Sequence, residues 1–165
     1  MIVETKRLIL REIKIKDAAF ILRLVNEPSF VANIGDKGVK NIDDVERFIR
    51  YGYWTNQKHP GYGMFLVERR EGRVPIGGCG LLYRNTLDLT DVGFALLPEY
   101  WGHGFAYEAA QAIIKYGRLT LEIKKIVGLT TEDNLGSIKL LKKLGMDLEK
   151  VVKMFDDDPG TVLYS

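Results

Sequence analysis

The chain has 165 residues, 46% of them hydrophobic and 28% charged, with a formal net charge of +2. That is one ordinary globular domain over residues 1–165, and so small a charge without a basic cluster excludes nucleic acid as the main partner. A lone cysteine excludes an intrachain disulfide and a cysteine metal cage, and neither a membrane-length apolar run nor a signal peptide is present, so the expectation is a soluble, cytoplasmic, metal-free protein that does not engage membrane.

Residues 8–11 read as a first strand. Asp17 caps an amphipathic helix that runs to about Asn26 and is stopped by Pro28. Residues 29–40, with Gly35 and Gly38, read as a loop. Asn41, with Asp44 three places on, opens a second helix whose Ile42, Val45, Phe48 and Ile49 share one face. Three strands follow over 64–69, 75–83 and 89–97, and the short turn-rich gaps between them suit antiparallel neighbours. A helix over 104–119, a strand over 126–131, a helix over 135–144 and closing strands over 148–154 and 162–164 complete the chain. The order β-α-α-β-β-β-α-β-α-β-β is a mixed α/β class, a mostly antiparallel sheet with flanking helices.

The most informative stretch is LTDVGFALLPEYWGHGFAYE, residues 89–108. An apolar run stops at Pro98, crosses Gly102 and Gly104, and enters an alanine-rich helix. A strand leading through glycines into a helix N-terminus gathers free backbone N–H groups at one point, a site for an anion such as a phosphorylated cofactor. That physics does not choose the cofactor. A P-loop is disfavoured because no Lys-Ser or Lys-Thr follows either glycine, and a dinucleotide fingerprint because its third small residue falls one place early.

The run Trp101-Gly102-His103-Gly104-Phe105-Ala106 resembles the pyrophosphate motif of the GNAT superfamily of acetyl-CoA-dependent N-acetyltransferases, with Trp101 where Gln or Arg is usual. Within it, residues 98–109 look like the branch of ribosomal-protein N-terminal acetyltransferases. A second block, Asn134-Leu135-Gly136-Ser137 leading to Leu144-Gly145-Met146, is similar to the superfamily's Asn-x-x-Ser…Leu-Gly-Phe segment. The resemblance implies the acyl-CoA N-acyltransferase fold and acetyl-CoA as co-substrate. Its pyrophosphate would rest on Trp101, Gly102, His103, Gly104, Phe105 and Ala106, and its pantetheine arm would pair with the backbone of Ala95, Leu96 and Leu97. The acceptor it implies is an amine, a protein N-terminus or a small molecule, with the protein a monomer or homodimer.

Asp91 is the candidate base, or else a solvated turn residue beside Asp88. Many relatives place a tyrosine acid where this chain has Leu141, so Ser137 is the candidate proton donor, or else a helix-start serine bonded to nearby backbone. Asn134 caps its helix and, by the resemblance, also meets the pantetheine. Cys79 reads as a packed thiol, and the widely spaced His59 and His103 do not suggest a metal. Tyr51, Tyr53, Trp54 and Tyr62 are either core or acceptor-site aromatics. Two functions follow: direct acetyl transfer in a ternary complex, or a non-catalytic acyl-CoA-binding sensor or scaffold.

Overall fold

Eight strands form in the computed structural model, which describes residues 2–52, 54 and 59–165. They are β1 (Val3–Glu4), β2 (Leu8–Glu12), β3 (Gly63–Arg69), β4 (Pro75–Arg84), β5 (Leu89–Leu96), β6 (Ile126–Thr130), β7 (Leu148–Val152) and β8 (Thr161–Tyr164), in the spatial order β1-β2-β3-β4-β5-β6-β8-β7. Every pair is antiparallel except β5 with β6. Five helices accompany them: α1 (Ala18–Val25), α2 (Pro28–Asn33), α3 (Ile42–Tyr51), α4 (Phe105–Leu119) and α5 (Leu135–Lys143).

The two expected asparagine caps form. The Asn41 side chain accepts the Asp44 N–H at 2.9 Å, and that of Asn134 accepts the Ser137 N–H at 3.2 Å. Each removes one unsatisfied donor from a helix start. Two short elements differ from the sequence reading. Residues 3–4 add a strand beside β2, and α2 occupies the start of the expected 29–40 loop. Pro28 does end α1, but its fixed φ also suits the first position of a new helix. Phe30 then anchors that helix in the core, with its ring 5.9 Å from Trp54.

The sheet separates two apolar layers. Leu8, Leu10, Ile76, Leu81 and Val92 pack with Ala109, Ala110 and Ile113 of α4. On the other face Leu66, Leu82 and Leu97 pack with Ile21, Leu24, Val45 and Ile49 of α1 and α3. The close seat of α4 needs Gly117, because a Cβ there would stand 2.6 Å from Leu81 Cδ1. Each fully buried aliphatic side chain contributes about 1.5–3 kcal/mol, and these two layers hold β5 and α4 at a fixed angle around the loop that joins them.

Candidate active site

The parallel pair of β5 and β6 is brief. Thr90 meets Ile126 and Asp91 meets Val127, after which β6 continues against β8 and β5 continues against β4. The strands therefore fork. Leu97 N–H donates to Ile76 O at 3.0 Å, and backbone groups alternate sides along an antiparallel strand. Phe94 and Leu96 consequently turn N–H and C=O toward the fork. Ala95 and Leu97 turn theirs toward β4. Of the three residues expected to offer a backbone edge, only Leu96 does so, and Phe94 joins it. Ala95 instead lends its side chain to the cavity wall, and Leu97 is buried.

Beyond Leu96 the chain makes a short turn at Pro98–Tyr100 and reaches the glycine loop. Trp101 folds back, its indole Nε1–H donating to Leu96 O at 2.8 Å. Gly102 and Gly104 have φ of +75° and +77°, a region that only glycine adopts without strain. Gly104 is the N-cap of α4, and the Glu108 N–H closes the first helical turn onto its carbonyl at 3.0 Å. The amides of Phe105, Ala106 and Tyr107 thus precede any helical acceptor. With the helix dipole behind them, they form an anion site. His103 Nδ1 lies 2.8 Å from Trp101 O, and since a carbonyl only accepts, the ring nitrogen carries the proton.

A cavity of about 650 Å³ joins the fork to this loop. Ala95, Leu96, Trp101, Gly102, Gly104, Phe105 and Ala106 line one side, Asn134 and Ser137 another, and Phe30 and Asn33 of α2 a third. Asn134 holds the backbone N–H of Ser137, and the Ser137 hydroxyl has no hydrogen-bond partner among the described residues. Lys139 and Lys143 also line the cavity, with Lys143 Nζ 4.5 Å from the centre of the Tyr107 ring. Both lysines are exposed and lie one helical turn apart on α5, at the cavity's solvent-facing rim. His103 stacks on Phe105 at 5.9 Å.

Asp91 lies at the root of the fork rather than in the cavity wall. It is 2% exposed, which rules out a solvated turn residue. Its Oδ2 accepts from Arg84 Nη2 at 2.6 Å and Nε at 3.0 Å, and its Oδ1 accepts the Leu129 N–H at 3.2 Å. Burial raises its pKa above the ordinary carboxylate value, against the pull of Arg84 and the Leu129 amide.

The remaining candidates sort into core and surface. Cys79 is fully buried, and burial pushes its thiol pKa up, so it is no ready nucleophile. Trp54 packs edge-on against Phe48 in the core, and Tyr51 is 82% exposed. Tyr62 Oη lies 3.4 Å from Thr90 Oγ1, and the His59 ring stands between Tyr62 and Tyr83. Tyr53 lies outside the described residues. Among the described residues no group of three or more His, Cys, Asp or Glu gathers to hold a metal, and no helix is long and apolar enough to cross a membrane.

Comparison with known proteins agrees with this geometry. The family described as an acetyltransferase (GNAT) domain matches residues 7–147. An uncharacterized N-acetyltransferase of Bacillus subtilis strain 168, YoaA, is 29% identical over 161 residues, 97% of this chain and 90% of that protein. An acetyltransferase (GNAT family) from Bacillus anthracis superposes with a TM-score of 0.80 at 23% identity, covering 99% of this chain and 96% of the other. RimL, a ribosomal L7/L12 alpha-N-protein acetyltransferase solved with coenzyme A, superposes with a TM-score of 0.83 at 16% identity, covering 99% and 95%.

Proposed function

The chain belongs to the GNAT acetyltransferase family and is an acetyl-CoA-dependent N-acetyltransferase, and from that premise we propose that it moves the acetyl group directly to a primary amine, in a ternary complex. The amine is the α-amine of a protein N-terminus or that of a small molecule. We take its setting to be the cytoplasm, since its one buried cysteine builds no disulfide framework. The observation that carries the reading is the single cavity that runs from the free amides at the start of α4 to the forked strands.

In this reading the donor's diphosphate rests on the amides from Gly102 to Tyr107, with Lys139 and Lys143 supplying charge. The residues present fit that group, because glycine at 102 and 104 leaves the backbone open to it. The pantetheine amides pair like an added strand with the backbone of Phe94 and Leu96. The amine nitrogen attacks the thioester carbon, and the electron pair moved onto the carbonyl oxygen is met by an N–H of that edge. As the C–S bond breaks, the sulfur takes the Ser137 hydroxyl proton, which the proton released by the amine replaces through solvent.

An α-amine with pKa near 8 is about a tenth neutral at pH 7 and needs no strong base. We therefore assign Asp91 to holding the fork, since Arg84 and the Leu129 amide already engage both of its oxygens. Glu27 lines the α1–α2 side of the cavity without an ion-pair partner among the described residues, and its charge favours a cationic acceptor there.

The test mixes protein with acetyl-CoA and a panel of N-terminal peptides, polyamines, aminoglycosides and amino acids while free thiol is followed. Amine-dependent thiol release is expected. Binding of acetyl-CoA with no release for any amine overturns the proposal.

A further inference from the structure

Arg7 reaches the glycine loop from the turn between β1 and β2. Its Nη1 donates to His103 O at 2.9 Å, its Nε and backbone N–H donate to Glu108 at 2.6 and 2.9 Å, and its guanidinium lies 4.5 Å over the Phe105 ring. His103 in turn donates from Nδ1 to Trp101 O at 2.8 Å. Two carbonyls of the loop, those of residues 101 and 103, are thus held by side-chain donors.

In a trans peptide the C=O and the following N–H point in opposite directions, and the chain contains no cis bond among its described residues. The Trp101 carbonyl held by His103 therefore sets the direction of the Gly102 N–H. The His103 carbonyl held by Arg7 sets that of the Gly104 N–H. Resting on the cofactor site assigned above, we infer that Arg7 and His103 are positioning residues for the diphosphate, aiming the Gly102 and Gly104 amides away from themselves and into the cavity those glycines line. Glycine at positive φ makes this loop adaptable as well as open. A loop whose peptide planes are fixed before the anion arrives loses less entropy on binding it.

The Glu108 carboxylate bears on the same point. It sits in the first turn of α4 and competes with an anionic ligand for the positive helix end. Arg7 pairs with it, so one guanidinium both turns a carbonyl and offsets a charge. Were Arg7 only a strap tying the β1–β2 turn to α4, its bond to Glu108 would be the part that matters. The proposal makes its bond to His103 O the part that matters.

The experiment measures coenzyme A affinity by calorimetry and follows the glycine amides by ¹H–¹⁵N correlation spectra during titration, with a thermal melt for each variant. In the wild type both Gly102 and Gly104 amides should shift. Arg7→Ala should weaken affinity by about 10-fold or more, the scale of a lost charge-assisted hydrogen bond, and shrink the Gly104 shift. Arg7→Lys, which can still reach one acceptor, should recover part of the loss. Glu108→Gln removes the ion pair but leaves Nη1 on His103 O, and should keep or tighten affinity. His103→Phe keeps the ring on Phe105 and should lose the Gly102 shift. Equal weakening by Arg7→Ala and Glu108→Gln overturns the inference, as does an unchanged affinity in Arg7→Ala. If wild type gives neither heat nor shift, the cofactor site itself falls, and this role with it.

Discussion

The Asp91 carboxylate accepts the Leu129 N–H at 3.2 Å where β5 and β6 part. A side chain thus takes an amide that a longer parallel ladder would have given to backbone, and the edge of β5 beyond it stays free for a ligand. Arg84 holds the other oxygen from β4, so the pin is fixed from three strands.

Removing that pin should loosen the fork. Asp91→Ala removes the acceptor of the Leu129 amide and the carboxylate facing Arg84, which should cost about 2–3 kcal/mol. This lies below the cost of breaking a fully buried pair, because Arg84 remains 26% exposed. Asp91→Asn keeps an oxygen for Leu129 and should melt between Asp91→Ala and wild type. The pH profile of kcat/KM separates this role from proton transfer. With the amine's own ionisation setting the rise, the profile of Asp91→Asn should keep its shape and midpoint. Loss of the rising limb in that variant would return Asp91 to the role of base.

Trp101 gives the site its own reporter. The chain has two tryptophans. Trp54 is 5% exposed, and Trp101 is 51% exposed with its indole N–H on Leu96 O. Leu96 is also the residue whose backbone the pantetheine is proposed to engage, so binding should change the surroundings of this indole. Titration with coenzyme A should alter tryptophan emission in a saturable way, and Trp101→Phe should abolish the change. A response that survives in Trp101→Phe would locate the ligand elsewhere.

Acid should release the strap between the β1–β2 turn and α4. Partial burial pushes the Glu108 carboxyl up, but the Thr5 hydroxyl and the Arg7 amide and guanidinium together hold it below its ordinary value of 4.5. The folded protein then binds this proton less readily than the unfolded chain. Its contribution to stability is complete above the ordinary value and is lost as pH falls through the depressed one. The difference in Tm between wild type and Glu108→Gln should therefore hold steady from neutral pH to about 5.5 and shrink in stronger acid. A difference that grows as pH falls would reverse the assigned sign.

What the sequence disclosed was what short-range chemistry decides. Glycines at 102 and 104, the asparagine caps at 41 and 134, the apolar run of β4 and the alanine-rich start of α4 follow from neighbours within a turn or a strand. What stayed hidden depends on register or on distant pairing. Which of residues 94–97 face the fork follows from the Leu97–Ile76 bond, and an apolar run carries no mark of it. Arg7 meets Glu108 across 101 residues, and in sequence it is one cation among many. Asp91 was visible as a carboxylate near the right strand end, but its enclosure by Arg84 and Leu129 belongs to the packed sheet. The same packing gives Pro28 a second use as a helix start, because Phe30 has a core to enter.

Ser137 and Asn134 separate chemistry from scaffolding within one helix turn. Asn134 accepts the Ser137 backbone N–H, an interaction that Ser137→Ala leaves intact. That substitution removes only the hydroxyl, so the fold and the cofactor cavity should persist. Proton supply to a thiolate is a modest demand, because the sulfur is already a fair leaving group. Ser137→Ala should lower kcat by about 10- to 100-fold, at or below the low end for a general acid, with KM for acetyl-CoA within about two-fold. Asn134→Ala should instead cost about 1 kcal/mol of stability through the lost cap and raise KM for acetyl-CoA. Steady-state kinetics on both variants, with a thermal melt for each, checks the split. An unchanged kcat in Ser137→Ala would mean that the sulfur takes its proton from water, and that the serine serves only to begin α5.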